Sequence, residues 1–366
     1  MTAAGNSRDE TLVPLASSFE SATREQWLAL VEKMLKGQDF EKRLVNRTAD
    51  GIRLDPLYTR HEASPALQGA VPGHAPFTRG ARDRVDGLGW EIRQKISAAE
   101  PGRANTEILT ELDGGTNGIL LDIEAPGQAG CRIASPADML TALKDMRLDL
   151  APVELNAGLG AAETVRHLLA ALPKLGIPSK DAHVFLGLDP IGALARWGRL
   201  PMAIDAALAE TMALAREAHA VAPKSRTVRV DATIYHEAGA TDAFELAALG
   251  STLIAYLRMF EAAGVSPEDA LKQISFAVSA DTDQFQTVAK LRAARRLIWR
   301  IADASGAGEA ATALHLSARA SFRVMAQRDP WTNMLRSTLS AAGAALGGAD
   351  AITVLPFTAA LGEADD

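Results

Sequence analysis

Residues 329–357 read DPWTNMLRSTLSAAGAALGGADAITVLPF. Asp329-Pro330 closes a loop. Met334, Leu335, Leu339, Ala342 and Ala345 then recur at helical spacing, which predicts a helix over Trp331–Ala345. The Gly347-Gly348 pair supplies the left-handed geometry that ends helices. Ala351–Phe357 is a short, almost unbroken apolar run, the pattern of a strand covered on both faces. A helix followed at once by a buried strand is one step of a β/α cycle, and the rest of the chain repeats it.

Strand patterns fall at Gly118–Ile123, Pro152–Leu155, Ala182–Leu188, Val228–Ile234, Ile274–Ser279, Leu314–Ala318 and Ile352–Phe357. Helix patterns between them cover Ala137–Met146, Ala161–Leu175, Ala203–Ala220, Ala243–Ala263, Thr287–Ala304 and Trp331–Ala345. Ser135-Pro136 and Ser266-Pro267 place a cap before a first-turn proline, and Asp242…Glu245 reads as an acidic capping box. The strand patterns are apolar runs, which argues for a parallel sheet covered on both sides. The fold expected is α/β, a TIM (β/α)8-type barrel over residues 105–366, behind an arm, helix and extended segment over 1–104. Only seven strands can be counted, one short of closure. A fragment, a strand supplied from elsewhere, or an unrecognised strand upstream would each account for that. The rival is a doubly wound open sheet, weakened by the lack of a G-x-G-x-x-G turn.

Upstream, Thr23–Leu35 predicts an amphipathic helix with Trp27, Leu28, Val31, Met34 and Leu35 on one face and a Thr23…Gln26 capping box. Lys42–Val45 and Ile52–Leu54 read as short strands. Thr59–Gly89, rich in Gly, Pro, His and Arg, reads as a long functional or wrapping loop.

Lys and Arg total 38 against 45 Asp and Glu, a net charge of −7, which gives no electrostatic case for nucleic acid. Arg292, Arg295, Arg296 and Arg300 read as an exposed helix stripe or part of a subunit contact. The single cysteine, Cys131, excludes an internal disulfide and fits a cytoplasmic location. No membrane association is expected, since no apolar run approaches the roughly 18 residues of a span, and the first residues carry no signal-peptide core. Asp189, Asp281 and Asp283 sit near strand ends, but without histidine partners they do not make a metal site. No lysine stands out for Schiff-base chemistry, which disfavours an aldolase or lyase.

Several stretches resemble the methylmalonyl-CoA mutases, in family order: Phe40–Ile52 (FEKRLVNRTADGI), Pro56–Thr59, Val71–Gly73, Pro76–Gly80 (PFTRG), Gly89–Gln94 (GWEIRQ), Glu237–Ala240 (EAGA) and the opening stretch. The resemblance implies a TIM barrel whose pore receives coenzyme A, with adenosylcobalamin held at one end by a separate domain. It implies a radical isomerisation between methylmalonyl-CoA and succinyl-CoA. Carried over position by position, Arg79, Arg93, Gln94 and Arg196 are the candidate substrate-binding residues and His236 the candidate catalytic one. The departures are as informative. Ala81–Leu88 lacks the family's aromatics after Arg-Gly. Ile234 stands where the family has its thioester-binding histidine; His236, two residues on, is expected on the same strand face. Gly187-Leu188-Asp189 replaces the substrate glutamine. The carboxylate-clamping arginine maps to Trp197, between Arg196 and Arg199. No cobalamin-ligating Asp-x-His-x-x-Gly is present, so no cobalamin-binding domain and no cofactor bound directly by this chain are expected. Such losses match the small, or beta, subunit of the heterodimeric bacterial members, a non-catalytic partner of a catalytic large subunit. The alternative is an active acyl-CoA mutase half that takes cobalamin from a separate protein.

Overall fold

The computed structural model describes residues 18–20, 22–59, 71–81 and 89–362. The expected loose N-terminal arm and most of the loop between Thr59 and Gly89, including nearly all of Ala81–Leu88, lie outside them. The chain forms two compact units, residues 1–63 and 64–366.

In the first unit, α1 (Arg24–Leu35) starts at the predicted capping box: Thr23 Oγ1 accepts from Gln26 N at 3.3 Å, and Gln26 Oε1 accepts from Thr23 N at 2.8 Å. None of its residues is buried. Lys42–Val45 is not a strand. Asp39 Oδ1 caps Lys42 N at 3.0 Å and winds α2 (Phe40–Leu44). β1 (Asn46–Arg47) and β2 (Arg53–Leu54) then pair antiparallel.

The second unit runs β3 (Glu91–Ile96), α3 (Pro101–Asp113), β4 (Gly118–Asp122), α4 (Pro136–Ala142), β5 (Val153–Asn156) and α5 (Ala161–Ala171). It continues with β6 (Val184–Leu188), α6 (Pro190–Trp197), α7 (Ile204–Val221), β7 (Arg226–Asp231), α8 (Thr233–Glu237) and α9 (Asp242–Ala262). It ends with α10 (Pro267–Gln273), β8 (Ile274–Ala280), α11 (Gln284–Ala304), β9 (Leu316–Ala320), α12 (Thr332–Gly347) and β10 (Ala351–Thr353). β3 to β10 close an eight-stranded parallel barrel, with β10 pairing both β9 and β3. The eighth strand is therefore Glu91–Ile96, upstream of the seven expected. Its sequence, EIRQKI, hides it, because every second residue is charged.

That charge exposes a second difference. The strands do alternate. Their outward residues are apolar and pack under the helices: Ile119, Leu121, Val153, Leu155 and Leu186 against α3–α5, and Val228, Val230, Phe276, Val278 and Leu316 against α9 and α11. Each such side chain, fully buried, contributes roughly 1.5–3 kcal/mol. The inward positions hold Arg93, Glu154, Arg229 and Arg319, together with Leu120 and Phe185 and otherwise small or polar residues. A short strand with one apolar and one polar parity resembles an apolar run when its polar positions are few.

Three local expectations change. Arg295 is fully buried and not part of an exposed stripe; its Nε donates to Gly348 O at 2.9 Å and its Nη2 pairs with Asp350 Oδ2 at 2.6 Å, fixing the turn into β10. α9 is capped by Thr241, while Glu245 turns inward to accept from Ser279 N at 2.6 Å. α9 is also long and apolar enough to cross a membrane, against the expectation that no segment is; its apolar face (Leu249, Leu253, Tyr256, Phe260) lies in the barrel's core.

Candidate functional site

Because successive strand residues face opposite sides, Glu91, Arg93 and Lys95 point into the barrel while Ile92, Gln94 and Ile96 point out. Arg93, 1% exposed, donates from Nε to Glu91 Oε1 at 2.6 Å and from Nη1 to Glu154 Oε2 on β5. Its guanidinium also lies 4.4 Å from the Phe185 ring. Glu154, 2% exposed, is the hub. Its Oε1 accepts from Arg229 Nη1 on β7 at 3.1 Å and from Arg319 Nη2 on β9 at 2.6 Å. Arg319 Nη1 reaches Asp231 Oδ2 at 3.0 Å, and Arg229 Nη2 reaches Asn156 Oδ1 at 3.1 Å. Asn156 Nδ2 donates to Asp122 Oδ1 at 2.7 Å, and Asp122 pairs with Lys95 at 2.9 Å. These contacts cross the barrel from strand to strand, so the network fills the axis that most TIM barrels fill with branched apolar side chains.

Burial alone would raise the Glu154 pKa; the guanidinium groups of Arg319, Arg93 and Arg229 outweigh it and hold the carboxyl well below the usual range. Asp231 is lowered in the same way, burial being overcome by Arg319 and Arg229. A carboxylate whose folded pKa is depressed stabilises the fold above its unfolded pKa and loses that contribution as pH falls. Asp189 acts oppositely. Burial lifts it to about 6 despite hydrogen bonds from Tyr256 Oη and Gly192 N, so its contribution is greatest in acid and declines as pH rises toward 6. With three arginines depending on Glu154, the first effect dominates. Thermal melts are expected to hold above about pH 5 and fall steeply below about pH 4. A melting temperature unchanged down to about pH 3 would contradict this.

At the C-terminal ends of β5, β6 and β7 lies a cleft of about 360 Å³, counting its open mouth. Its lining includes Gln128, Asn156, Gly187, Asp189, Arg196, Trp197, Arg229 and Ile234. The fold thus gathers in one place residues that the sequence resemblance matched to substrate contacts: Gly187 and Asp189, Arg196 and Trp197, Ile234. The exposed Arg196 guanidinium sits 5.1 Å from the Trp197 ring. Gln128 is spent on backbone, donating to Ile123 O at 3.0 Å and Asn156 O at 2.6 Å.

The candidate residues do not converge. Arg93 is locked in the interior network, and Gln94 faces the helix layer. Arg79 is exposed, and its carbonyl lies beside Gly348 at the strand-start end of the barrel, opposite the cleft. His236 is on the short helix α8 and not on a strand, because the chain turns at Ala232 as soon as β7 ends. It is 3% exposed, with Nε2 2.8 Å from Ser321 Oγ. Burial, then Lys290 and Arg323, lowers its pKa to about 4, so it is neutral at pH 7. His236, Asp242 and Glu245 cluster within 4.8 Å. The place of a cation among the two carboxylates is taken by Lys290 Nζ, 2.8 Å from Asp242 Oδ1 and 2.7 Å from Glu245 Oε2. The acids near strand ends act as local caps: Asp189 for Gly192 N at 2.8 Å, Asp283 for Gln286 N at 3.1 Å.

Sequence reading passed over Glu154, Arg229, Asp231 and Arg319. The signal was present as charges framed by apolar residues at alternate positions, VELN and VRVD, which is the pattern of a strand with a charged inner face.

A closed parallel barrel with a cleft at the strand C-termini is a TIM-barrel protein with a charge-filled axis. The chain belongs to the methylmalonyl-CoA mutase family, whose family model, described as methylmalonyl-CoA mutase, matches residues 47–366. It is similar to the methylmalonyl-CoA mutase small subunit of Streptomyces virginiae, 41% identical over 96% of this chain and 56% of that protein. The small subunit of Propionibacterium freudenreichii subsp. shermanii is 34% identical over 97% of this chain and 56% of its own length. The probable small subunit of Mycobacterium tuberculosis (strain ATCC 25618 / H37Rv) is 38% identical over 89% and 51%. The chain therefore spans about half the length of the curated relatives it matches.

Proposed function

We propose that this chain is the small-subunit barrel of an adenosylcobalamin-dependent methylmalonyl-CoA mutase, a non-catalytic partner that stabilises the catalytic large subunit. The observation that carries this reading is the Glu154 network. An acyl-CoA entering along the axis would have to displace Arg93, Arg229 and Arg319 from their shared carboxylate, leaving charges buried and unpaired, at about 3–5 kcal/mol for each broken pair. The small-subunit names of the relatives support it as well. His236 does not line the cleft and is buried against Ser321, which supports the reading as well.

His236, the histidine at the C-terminal face, has its Nε2 on Ser321, and its Nδ1 is buried 3.8 Å from Glu245. Adenosylcobalamin, which supplies the radical, is on this reading held by another domain or subunit. The buried Cys131 thiol, pushed up to about 11 by burial and nearby acids, suits the cytoplasmic location that we propose with it.

Co-expression with a family large subunit is expected to give a stable pair. Isolated chain titrated with succinyl-CoA is expected to show no binding tighter than about 1 mM. In the pair, Arg196→Ala is expected to leave mutase turnover within about twofold, under 0.5 kcal/mol in barrier. Isomerisation by this chain with adenosylcobalamin and a cobalamin-binding protein, without the large subunit, would reject the reading in favour of an active mutase half built on the Arg196 cleft.

A further inference from the structure

Three helices bring charge to one buried point beside the end of β8. α8 supplies His236, the first turn of α9 supplies Asp242 and Glu245, and α11 supplies Lys290. Glu245, Lys290 and His236 are all buried. One nitrogen or oxygen from each of His236, Asp242 and Glu245 lies within 4.8 Å of the other two. Lys290 Nζ stands between the acids, 2.8 Å from Asp242 Oδ1 and 2.7 Å from Glu245 Oε2. That ammonium accounts for two of the three groups. His236 Nδ1 is the third. It makes no hydrogen bond to the described residues and lies 3.8 Å from Glu245 Oε2, the same oxygen that Lys290 holds. A buried nitrogen left in this state needs an explanation. His236 Nε2 lies 2.8 Å from Ser321 Oγ. When Nε2 donates to that hydroxyl, Nδ1 keeps a lone pair, the arrangement of histidines that bind a metal through one nitrogen and are oriented through the other.

We propose that His236, Asp242 and Glu245 form a divalent-cation site that this chain keeps closed with the ammonium group of Lys290. One imidazole nitrogen and two carboxylate oxygens are a donor set for a zinc-like transition ion, with solvent in the remaining position. Magnesium and calcium, which take six or more oxygens, are not suited to it. Two positive charges would match the two carboxylates, whereas one ammonium leaves a negative charge in excess. Lys290 does not vacate the place in the native chain. Its side chain is 1% exposed, and withdrawing Nζ would leave Glu245, fully buried, without its cation. The tethered ammonium therefore does the work of a structural metal. It ties α8, α9 and α11 together at the rim of the barrel, next to the cleft that Ile234 of α8 lines.

The test is titration of the full chain with cobalt(II), read by visible absorption and equilibrium dialysis. Wild type is expected to bind no cobalt through His236 up to about 1 mM. Lys290→Ala is expected to bind one equivalent with a dissociation constant on the order of 1–10 µM. Adding His236→Gln to that variant is expected to weaken binding at least about tenfold. Lys290→Met keeps the apolar stem, removes only the ammonium, and is expected to bind cobalt as well. If neither variant folds without metal, folding itself becomes the readout, because binding free energy is then folding free energy. Recovery of the circular dichroism by cobalt, reversed by a chelator, supports the proposal, and no recovery overturns it. A folded Lys290→Ala chain with no more affinity for cobalt than wild type overturns it too, as does binding that is indifferent to His236→Gln. So does a wild-type chain that takes cobalt through His236, since Lys290 would then not close the site.

Discussion

Glu154→Gln is expected to cost at least about 3–5 kcal/mol of folding free energy, enough to leave a domain of ordinary stability largely unfolded at 37 °C. The substitution conserves volume and removes one charge. Three guanidinium groups, from Arg93, Arg229 and Arg319, then share a buried site without their common carboxylate. Asp231 remains for Arg229 and Arg319, but the strong tie of Arg93 is reduced to Glu91. Surface ion pairs are worth about 1 kcal/mol or less, so Arg147→Gln, whose partner Asp149 is solvated, serves as the control. Urea unfolding measures both. A Glu154→Gln loss under about 1 kcal/mol would show that the interior charges are solvated and the axis open to ligand, which would also remove the support for a non-catalytic barrel.

Gly187→Ala is the second large effect. Gly187 sits in the left-handed region at φ +66°, and a Cβ there would lie 2.1 Å from the Leu155 carbonyl oxygen. That oxygen is backbone of the neighbouring strand and not the end of a flexible side chain. Gly198 has nearly the same φ, +67°, with nothing within 4 Å of its Cβ position. Gly198→Ala is therefore expected to cost about 1–2 kcal/mol, the strain of the conformation alone. Gly187→Ala is expected to cost that plus the steric collision, about 4 kcal/mol or more. Equal losses in the two variants would mean that the β5–β6 contact yields freely. The comparison also bears on the cleft, since Gly187 lines it and the neighbouring backbone has closed onto the space a side chain would need.

The helices were largely legible because their signals are local. Amphipathic spacing, the Ser135 and Ser266 caps, and Gly348 ending α12 are all set within a few residues of each other. The misses have physical causes. α8 has the sequence of a strand, since Ile234 and Tyr235 are good strand residues, but Asp231 Oδ1 accepts from Thr233 N at 3.1 Å and turns the chain. β3 was missed because its inner positions are charged, and charge argues for exposure unless the partners are known.

By itself the sequence determined the β/α rhythm and the family. Only the tertiary structure decided that eight strands close, that Arg93 is neutralised within the axis, and that α12 turns its apolar side outward. The reason is range. Periodicity records that two faces of an element differ, but which face is buried, and against what, depends on partners far along the chain. Arg319 and Glu154 lie 165 residues apart and meet only because the barrel closes.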